Sequence, residues 1–251
     1  MTAASSLTSL SASGRGSGQT VSSHDQIVRS LGQDILAGRI APGDKLPGEA
    51  DLLRRFGVSR TALREALKTL SAKGFLVVKT RVGTKVTEPL RWNLFDSEVL
   101  AWQVANGMDA QFRRHLAEVR RALEPAAAAL AAEHRSAEDL DGMRAAIAAM
   151  RHEQTSEYAF ARADLDLHLR IAVASKNPMM RSLASVIETA LLEAFTLSPP
   201  TRSEALHRET VDLHERIVDR IEASDAVGAA SAMLAVIDAG YRRVEAEQDA
   251  G

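Results

Sequence analysis

The sequence predicts a mainly α-helical protein with two domains, of which only the smaller contains β-structure. The chain has 251 residues, 45% of them apolar, so it exceeds one typical domain and can bury more than one core. Alanine is abundant while aromatic residues make up only 4%, which favours helices over a large sheet. Strand-like residues are confined to one short stretch, 75–87. We therefore expect a small hairpin-containing domain followed by an all-α antiparallel bundle.

Composition indicates the cellular compartment of the protein and excludes some kinds of covalent link and metal site. The absence of cysteine excludes disulfides and thiolate metal sites, and it is typical of a reducing cytoplasm. The sequence contains neither a long apolar run nor a signal-peptide pattern, so we expect a cytoplasmic protein with no membrane span. Net charge is unevenly distributed, because residues 24–88 carry +5 and residues 89–251 carry −8. This asymmetry is expected if only the first part contacts phosphate.

Residues 24–88 have the pattern of a DNA-binding domain, preceded by a Ser- and Gly-rich tail, residues 1–23, that is expected to be disordered. A first helix starts near Asp25, and a short second helix ends at Gly57. Ser59 can cap a third helix that ends at Gly74. Phe75–Lys79 and Thr84–Thr87 can pair as two strands around a turn at Arg81, Val82 and Gly83. Together these elements predict a winged helix-turn-helix, with the third helix in the major groove.

The third helix has one apolar side and one basic side. The apolar side consists of Leu63, Ala66, Leu67 and Leu70. The opposite side consists of Arg60, Thr61, Arg64 and Lys68. Basic helix faces are usually only solvated, but here a cap, a turn and a basic hairpin accompany the face, so the pattern favours DNA binding.

The run LPGEADLLRRFGVSRTALREALKTLSAKGFLVV resembles the N-terminal domain of GntR-family bacterial repressors. In the FadR-type branch, DNA contacts come from the S-R-T-x-x-R segment and the wing tip. The resemblance therefore implies contacts from Ser59, Arg60, Thr61, Arg64, Arg81 and Gly83. One position departs from the family, because Ala50 stands where an arginine is usual. We expect the base that this arginine reads in relatives to be unread here or read differently.

Residues 89–104 form the predicted linker and contain both tryptophans of the chain, Trp92 and Trp102. We expect them to pack between the domains, because base-stacking aromatic residues usually lie among basic residues. Residues 105–251 are expected to form the helical effector-binding and dimerisation domain. Pro125 suggests a kink, Ser136 and Asp139 a capping box, and Ser224 the cap of the last helix. Helices are expected at roughly 156–174, 178–196, 203–222 and 225–247.

Three residues of the second domain suggest a metal site. Asp164 and His168 are four positions apart, which places both side chains on one helix face. That pair alone is more typical of a surface ion pair. His214 lies among apolar residues and is a plausible third ligand. The other histidines are expected at the surface: His24, His115, His134, His152 and His207.

Residues 105–245 resemble the helical ligand-binding (FCD) domain of the FadR branch, on the segments EVRRALEPAAAALAAE and ADLDLHLRIAVASKNPMM. The resemblance implies that Asp164, His168 and His214 bind a divalent metal such as Zn or Ni. A fourth histidine of that family pattern is absent near Met233, where Leu234 follows. Three protein ligands can suffice if water or an effector carboxylate completes the site.

Two arginines and one hydroxyl are candidate effector-binding groups. Arg120 matches the arginine that many of these domains turn toward an acidic ligand, and Thr210 lies one turn before His214. Arg243 lies two turns after Val236 on the same face, although a solvated cation favoured by the helix dipole is an equal alternative. The linker motif W-N-x-x-D-x-x-V-L-x-W resembles the sugar-acid regulators of the family, which implies a D-galactonate-like effector.

The favoured hypothesis is a homodimeric repressor that binds a palindromic double-stranded operator and is released by a sugar acid. The alternatives are a metal-dependent hydrolase and a pure metal sensor built on the helical bundle. The sequence has no phosphate-binding loop and no H-E-x-x-H motif, so an enzyme is not expected.

Overall fold

The computed structural model describes residues 22–79, 83–152, 156–182 and 184–249. They form two compact units, residues 22–108 and residues 109–249. Each unit has a hydrophobic core of its own. The expected tail, apart from its last two residues, and the wing residue Arg81 lie outside the described ranges.

The first unit contains four α-helices and one hairpin among its described residues. They are α1 (Ser23–Leu36), α2 (Glu49–Phe56), α3 (Arg60–Ala72), β1 (Leu76–Lys79), β2 (Gly83–Val86), a 3₁₀ turn (Pro89–Arg91) and α4 (Ser97–Ala105). Gly57 ends α2 in the left-handed conformation, with φ of 63°, and the Ser59 hydroxyl caps α3 by accepting from the Ala62 amide. These local predictions are confirmed.

The wing is an antiparallel hairpin whose register runs from Leu76 opposite Val86 to Lys79 opposite Gly83. Phe75 precedes the first strand, because its amide donates to the Leu70 carbonyl at the end of α3. Its ring is fully buried. The winged helix-turn-helix is therefore confirmed, with the apolar side of α3 packed in the core of the unit.

Both tryptophans pack inside the first unit. The Trp92 ring stacks on Phe75 with ring centroids 4.8 Å apart. Trp102 packs so closely on Gly32 of α1 that an added Cβ there would lie 2.4 Å from its ring. The expectation that they pack between the domains is wrong, because α4 packs against α1 and completes the first core.

The second unit is entirely helical in the residues described. Its helices are α5 (Ala110–His134), α6 (Ala137–His152), α7 (Glu157–Ala174), α8 (Pro178–Arg181), α9 (Ala184–Leu197), α10 (Glu204–Glu222) and α11 (Ala226–Asp249), with a 3₁₀ turn at Pro200–Arg202. Helix α5 is continuous through Pro125. The capping box is confirmed, since the Ser136 and Asp139 side chains each accept from the other's amide.

Two helix boundaries differ from the sequence prediction. Residues 178–196 form two helices, α8 and α9, because the chain turns at Ser182. The last helix is capped by Asp225, whose carboxylate accepts from the Gly228 amide at 2.8 Å. Ser224 instead has a φ of 57° and lies in the turn before the cap. No described helix is both long enough and apolar enough to cross a bilayer.

Candidate functional site

The predicted DNA-reading residues of α3 share one open surface. Ser59, Arg60, Thr61 and Arg64 are all exposed, while Leu63 on the other side of the helix is fully buried. Gly83 is exposed at the start of β2. The structure thus leaves the basic side of α3 free to enter a groove.

Glu49, at the start of α2, was missed by the sequence interpretation and lies between the two arginines. One carboxylate oxygen is 3.8 Å from the Arg60 Nε and the other is 3.6 Å from an Arg64 Nη. Exposed pairs of this kind contribute little to stability. They place one carboxylate beside both guanidinium groups. The residue belongs to the L-P-G-E run and precedes Ala50 directly.

A buried cluster in the second unit brings together the three predicted metal ligands. Asp164 and His168 lie on α7 and His214 lies on α10. Their exposed fractions are 1%, 2% and 3%. One ligand atom from each lies within 4.8 Å of the others. The surface ion pair that the sequence left open for Asp164 and His168 is therefore wrong.

Hydrogen bonds determine which ring nitrogens in this cluster carry lone pairs. The His214 Nδ1 is 2.7 Å from the Thr210 carbonyl, which can only accept, so Nδ1 carries the proton and the Nε2 of the neutral ring has a lone pair. That Nε2 lies 2.7 Å from an Asp164 oxygen without the alignment of a hydrogen bond. Two acceptors at this distance repel unless a proton or a cation lies between them.

The second histidine is arranged in the same way. The His168 Nδ1 donates to Glu124 at 2.6 Å, which leaves a buried Nε2 with no partner. The second carboxylate oxygen of Asp164 is also buried and unpartnered. Buried polar atoms are normally satisfied, so these converging lone pairs fit a divalent cation better than a packed core.

Glu124 on α5 was not predicted, and it contacts the cluster through a hydrogen bond with His168. Its carboxylate pairs with the Arg120 guanidinium and accepts from His168. Burial by itself would raise the pKa of Glu124, but Arg120 and His168 outweigh burial and lower that pKa to about 2. An ionised Glu124 therefore fixes the His168 tautomer and aims its Nε2 into the cluster. The available signal was its position one turn after Arg120 in the sequence.

The electrostatics of Asp164 favour a charged carboxylate. Burial raises its pKa, but a proton on His214 or His168 together with the Arg120 guanidinium outweighs burial and brings the pKa below the ordinary value. The carboxylate is therefore available as an anionic ligand at neutral pH.

A cavity of about 80 Å³ lies beside the cluster. Asp164 and His214 line it together with the three predicted effector residues, Arg120, Thr210 and Arg243. Its remaining walls are mostly apolar and include Leu116, Leu191, Val236, Ile237 and Val244. This volume is large enough for several water-sized groups.

The two arginines line this cavity from different helices, α5 and α11. Arg120 uses its Nε and one Nη on Glu124, so three of its five N–H donors remain for a ligand. Arg243 donates from Nε to the Ser198 carbonyl at 3.0 Å. Its pKa is lowered by burial, which the nearby Asp164 and Glu209 offset only in part. Because this guanidinium is partly buried, the alternative interpretation of Arg243 as a solvated cation near the helix C-terminus is wrong.

The surface prediction for His207 is wrong. Its exposed fraction is 2%, its Nε2 donates to the Met150 carbonyl at 2.9 Å, and its ring packs edge-on against Phe160. His207 precedes His214 by two helical turns, so both lie on the buried face of α10. Where the family pattern has a fourth histidine, Val236 and Ile237 instead supply apolar cavity wall.

Comparison with known proteins assigns a family to each unit. Residues 23–86 match the family described as bacterial regulatory proteins, gntR family, and residues 115–239 match the FCD domain. The chain is 37% identical to the uncharacterised HTH-type transcriptional regulator YieP of Escherichia coli (strain K12), over 84% of this chain and 90% of that protein.

A second relative has a named role, and a solved structure agrees in fold. The galactonate operon transcriptional repressor of Escherichia coli (strain K12) is 31% identical, over 90% of this chain and 98% of that protein. The structure of Lar, which controls expression of the Listeria monocytogenes agr system, aligns with a TM-score of 0.62 at 19% identity. It covers 92% of this chain and 99% of that chain.

Proposed function

Because the chain belongs to the GntR family of bacterial regulatory proteins and carries an FCD domain, we propose that it represses sugar-acid catabolism and leaves its operator when the acid binds. The domains and relatives are those of DNA-binding transcriptional regulators, not enzymes. The observation that supports an acidic effector is the cavity that Arg120 and Arg243 both line beside a buried ligand cluster.

On the DNA side, a homodimer presents one α3 to each half of a palindromic operator. The contacts from α3 are Ser59, Arg60, Thr61 and Arg64, and those from the wing are Arg81 and Gly83. The exposed position of the four α3 residues supports this assignment. The short side chain of Ala50 makes no base contact, so the corresponding base pair is read loosely or not at all.

On the effector side, Asp164, His168 and His214 hold a divalent metal such as Zn or Ni. When bound, the metal supplies a Lewis-acid position for an oxygen ligand. Arg120 and Arg243 pair with the effector carboxylate, and Thr210 hydrogen-bonds a hydroxyl. A D-galactonate-like acid fits this combination, and the galactonate operon repressor is a relative at 31% identity.

The acid lowers operator affinity only to the extent that it binds the DNA-free state more tightly than the DNA-bound state. The test is therefore operator release, measured by fluorescence anisotropy on a palindrome that the protein selects from random DNA. D-galactonate should release the DNA, whereas the neutral sugar D-galactose, which lacks the carboxylate, should not.

Arg243→Gln is the appropriate variant for this test. It removes one charge-assisted contact, so about tenfold or more D-galactonate should be needed for half-release. Affinity for DNA without the acid should stay unchanged. Arg120→Ala is less informative, because it leaves Glu124 buried without its cation partner. Equal release by D-galactose, or a normal response of the Arg243 variant, would contradict the proposal.

A pure metal sensor is the second candidate, and the buried ligand cluster is the observation that favours it. In that case operator release should follow added zinc or nickel without any acid. The hydrolase alternative is not favoured, because the matched families are regulators.

A further inference from the structure

The DNA-reading helix α3 is fastened at its C-terminal end by a buried lysine. Lys73 follows the last residue of α3 and is only 8% exposed. Its Nζ lies 2.7 Å from both carboxylate oxygens of Asp96 and 2.8 Å from Glu98. Lysine is almost never buried without partners, and both acidic partners of this ammonium lie at the start of α4.

Asp96 has two roles at the other end of this contact. Its Oδ1 accepts from the Glu98 and Val99 amides and so caps α4. The same carboxylate receives the Lys73 ammonium. One side chain therefore joins the first turn of α4 directly to the end of α3.

The backbone strengthens the same junction. The Asn93 amide donates to the Lys73 carbonyl at 2.9 Å. At Gly74, an added Cβ would lie 2.0 Å from the Arg91 carbonyl oxygen, so the two chain segments touch without an intervening side chain. Further along α4, Trp102 packs on Gly32. Both ends of the segment from Arg91 to Trp102 thus pack in the DNA-binding unit.

We propose that Lys73 and Asp96 are positioning residues for DNA recognition, which make α3 and α4 a single rigid body. Helix α4 is the last helix of the unit, so a rigid junction passes any constraint on the direction of α4 to α3. In a dimer, two fixed directions permit only one spacing of operator half-sites. The inference rests on the DNA-binding part of the proposed function and is independent of effector and metal.

Two substitutions weaken this contact while sparing the helices, because Lys73→Met removes both ion pairs and Asp96→Asn leaves only the pair of Lys73 with Glu98. Asp96→Asn keeps a good N-cap residue but removes the carboxylate charge. Lys73→Met keeps the apolar stem and removes the ammonium. Asp109→Asn is the matched control, because Asp109 caps α5 by accepting from the Phe112 amide at 2.7 Å, in the other unit. All three change one charge.

The experiment compares the affinity of the full chain for its selected palindrome with its affinity for versions with one or two base pairs inserted between the half-sites. In the parent and the Asp109 control, the insertions should lower the affinity for DNA about a hundredfold, since each inserted base pair rotates one half-site relative to the other by about 34°. The Asp96 and Lys73 variants should bind the original palindrome within about threefold of the parent and lose less than about tenfold on insertion.

Retention of the full spacing penalty by a folded Lys73→Met variant, which has lost both ion pairs, would overturn the inference, and so would a parent that tolerates the insertions. Lys73→Met supports the inference only if its tryptophan fluorescence shows a folded unit; otherwise Asp96→Asn decides. Failure of the parent to bind any palindrome would count against the proposed function itself, which separates the two outcomes.

Discussion

At the scale of single residues, proton positions decide what the second unit can bind. His168 and His214 both donate from Nδ1, to Glu124 and to the Thr210 carbonyl. Both rings therefore turn a lone pair toward Asp164. His207 is as deeply buried as either, yet its Nε2 is used on the Met150 carbonyl. Because the Nδ1 of His207 is also buried without a partner, the feature that distinguishes His168 and His214 is the convergence of their ligand atoms with that of Asp164 within 4.8 Å.

This contrast predicts the outcome of two glutamine substitutions. His214→Gln should weaken zinc binding by about a hundredfold or more, because it removes a ligand with its lone pair. His207→Gln, an identical change at a buried histidine of the same helix, should leave zinc affinity within about threefold. Competition with a chromogenic chelator measures both. Equal losses in the two variants would mean that the cluster does not bind the metal.

At the scale of elements, the ends of the helices organise the DNA-binding unit. Gly74 ends the α3 turn with a φ of 85° and lies against the Arg91 carbonyl. Gly38, after α1, has a similar φ of 70° but no atom within 4 Å of an added Cβ. The two glycines therefore differ in packing while sharing the left-handed backbone.

The difference between these glycines gives a stability prediction. Gly38→Ala should cost about 1 kcal/mol, from backbone strain alone. Gly74→Ala adds a collision between the new Cβ and the Arg91 backbone, so it should lower the free energy of unfolding by roughly 3 kcal/mol or more. Urea unfolding followed by tryptophan fluorescence measures both, because Trp92 and Trp102 belong to this unit's core. If both substitutions lower the free energy of unfolding by a similar amount, the backbone at Arg91 can move away from the added Cβ at little cost.

At the scale of the whole molecule, two chemical tasks are divided between two units. The basic face and the chain's tryptophans belong to residues 22–108, whereas the ligand cluster and its cavity belong to residues 109–249. The charge follows the same division, because residues 24–108 carry +4 and residues 109–251 carry −7. This asymmetry favours contact of phosphate groups with the first unit over the second.

Metal removal should therefore destabilise one unit and spare the other. A metal at about a thousand times its dissociation constant adds about 4 kcal/mol to the state that binds it. Chelation should lower the thermal midpoint seen by circular dichroism, which the larger helical unit dominates, by roughly 10 °C. The midpoint seen by tryptophan fluorescence should move by less than about 2 °C. Equal shifts would indicate that both units unfold as one.

The local features of this protein follow from the sequence by itself. The caps at Ser59 and Ser136, the end of α2 at Gly57, and the shared face of Asp164 and His168 all depend on residues within one or two turns. Short-range backbone geometry decides such features, so spacing is sufficient to predict them. The family resemblance added the roles, but no distances.

Only the tertiary structure decided which distant residues meet. His214 lies beside Asp164, and Glu124 accepts a hydrogen bond from His168. One cavity is lined by Arg120, Thr210 and Arg243. The tertiary structure also buries His207, and it places both tryptophans in the first core. Helical periodicity identifies the face that is buried but not the helix that covers it, because covering depends on the packing of whole elements far apart in the chain.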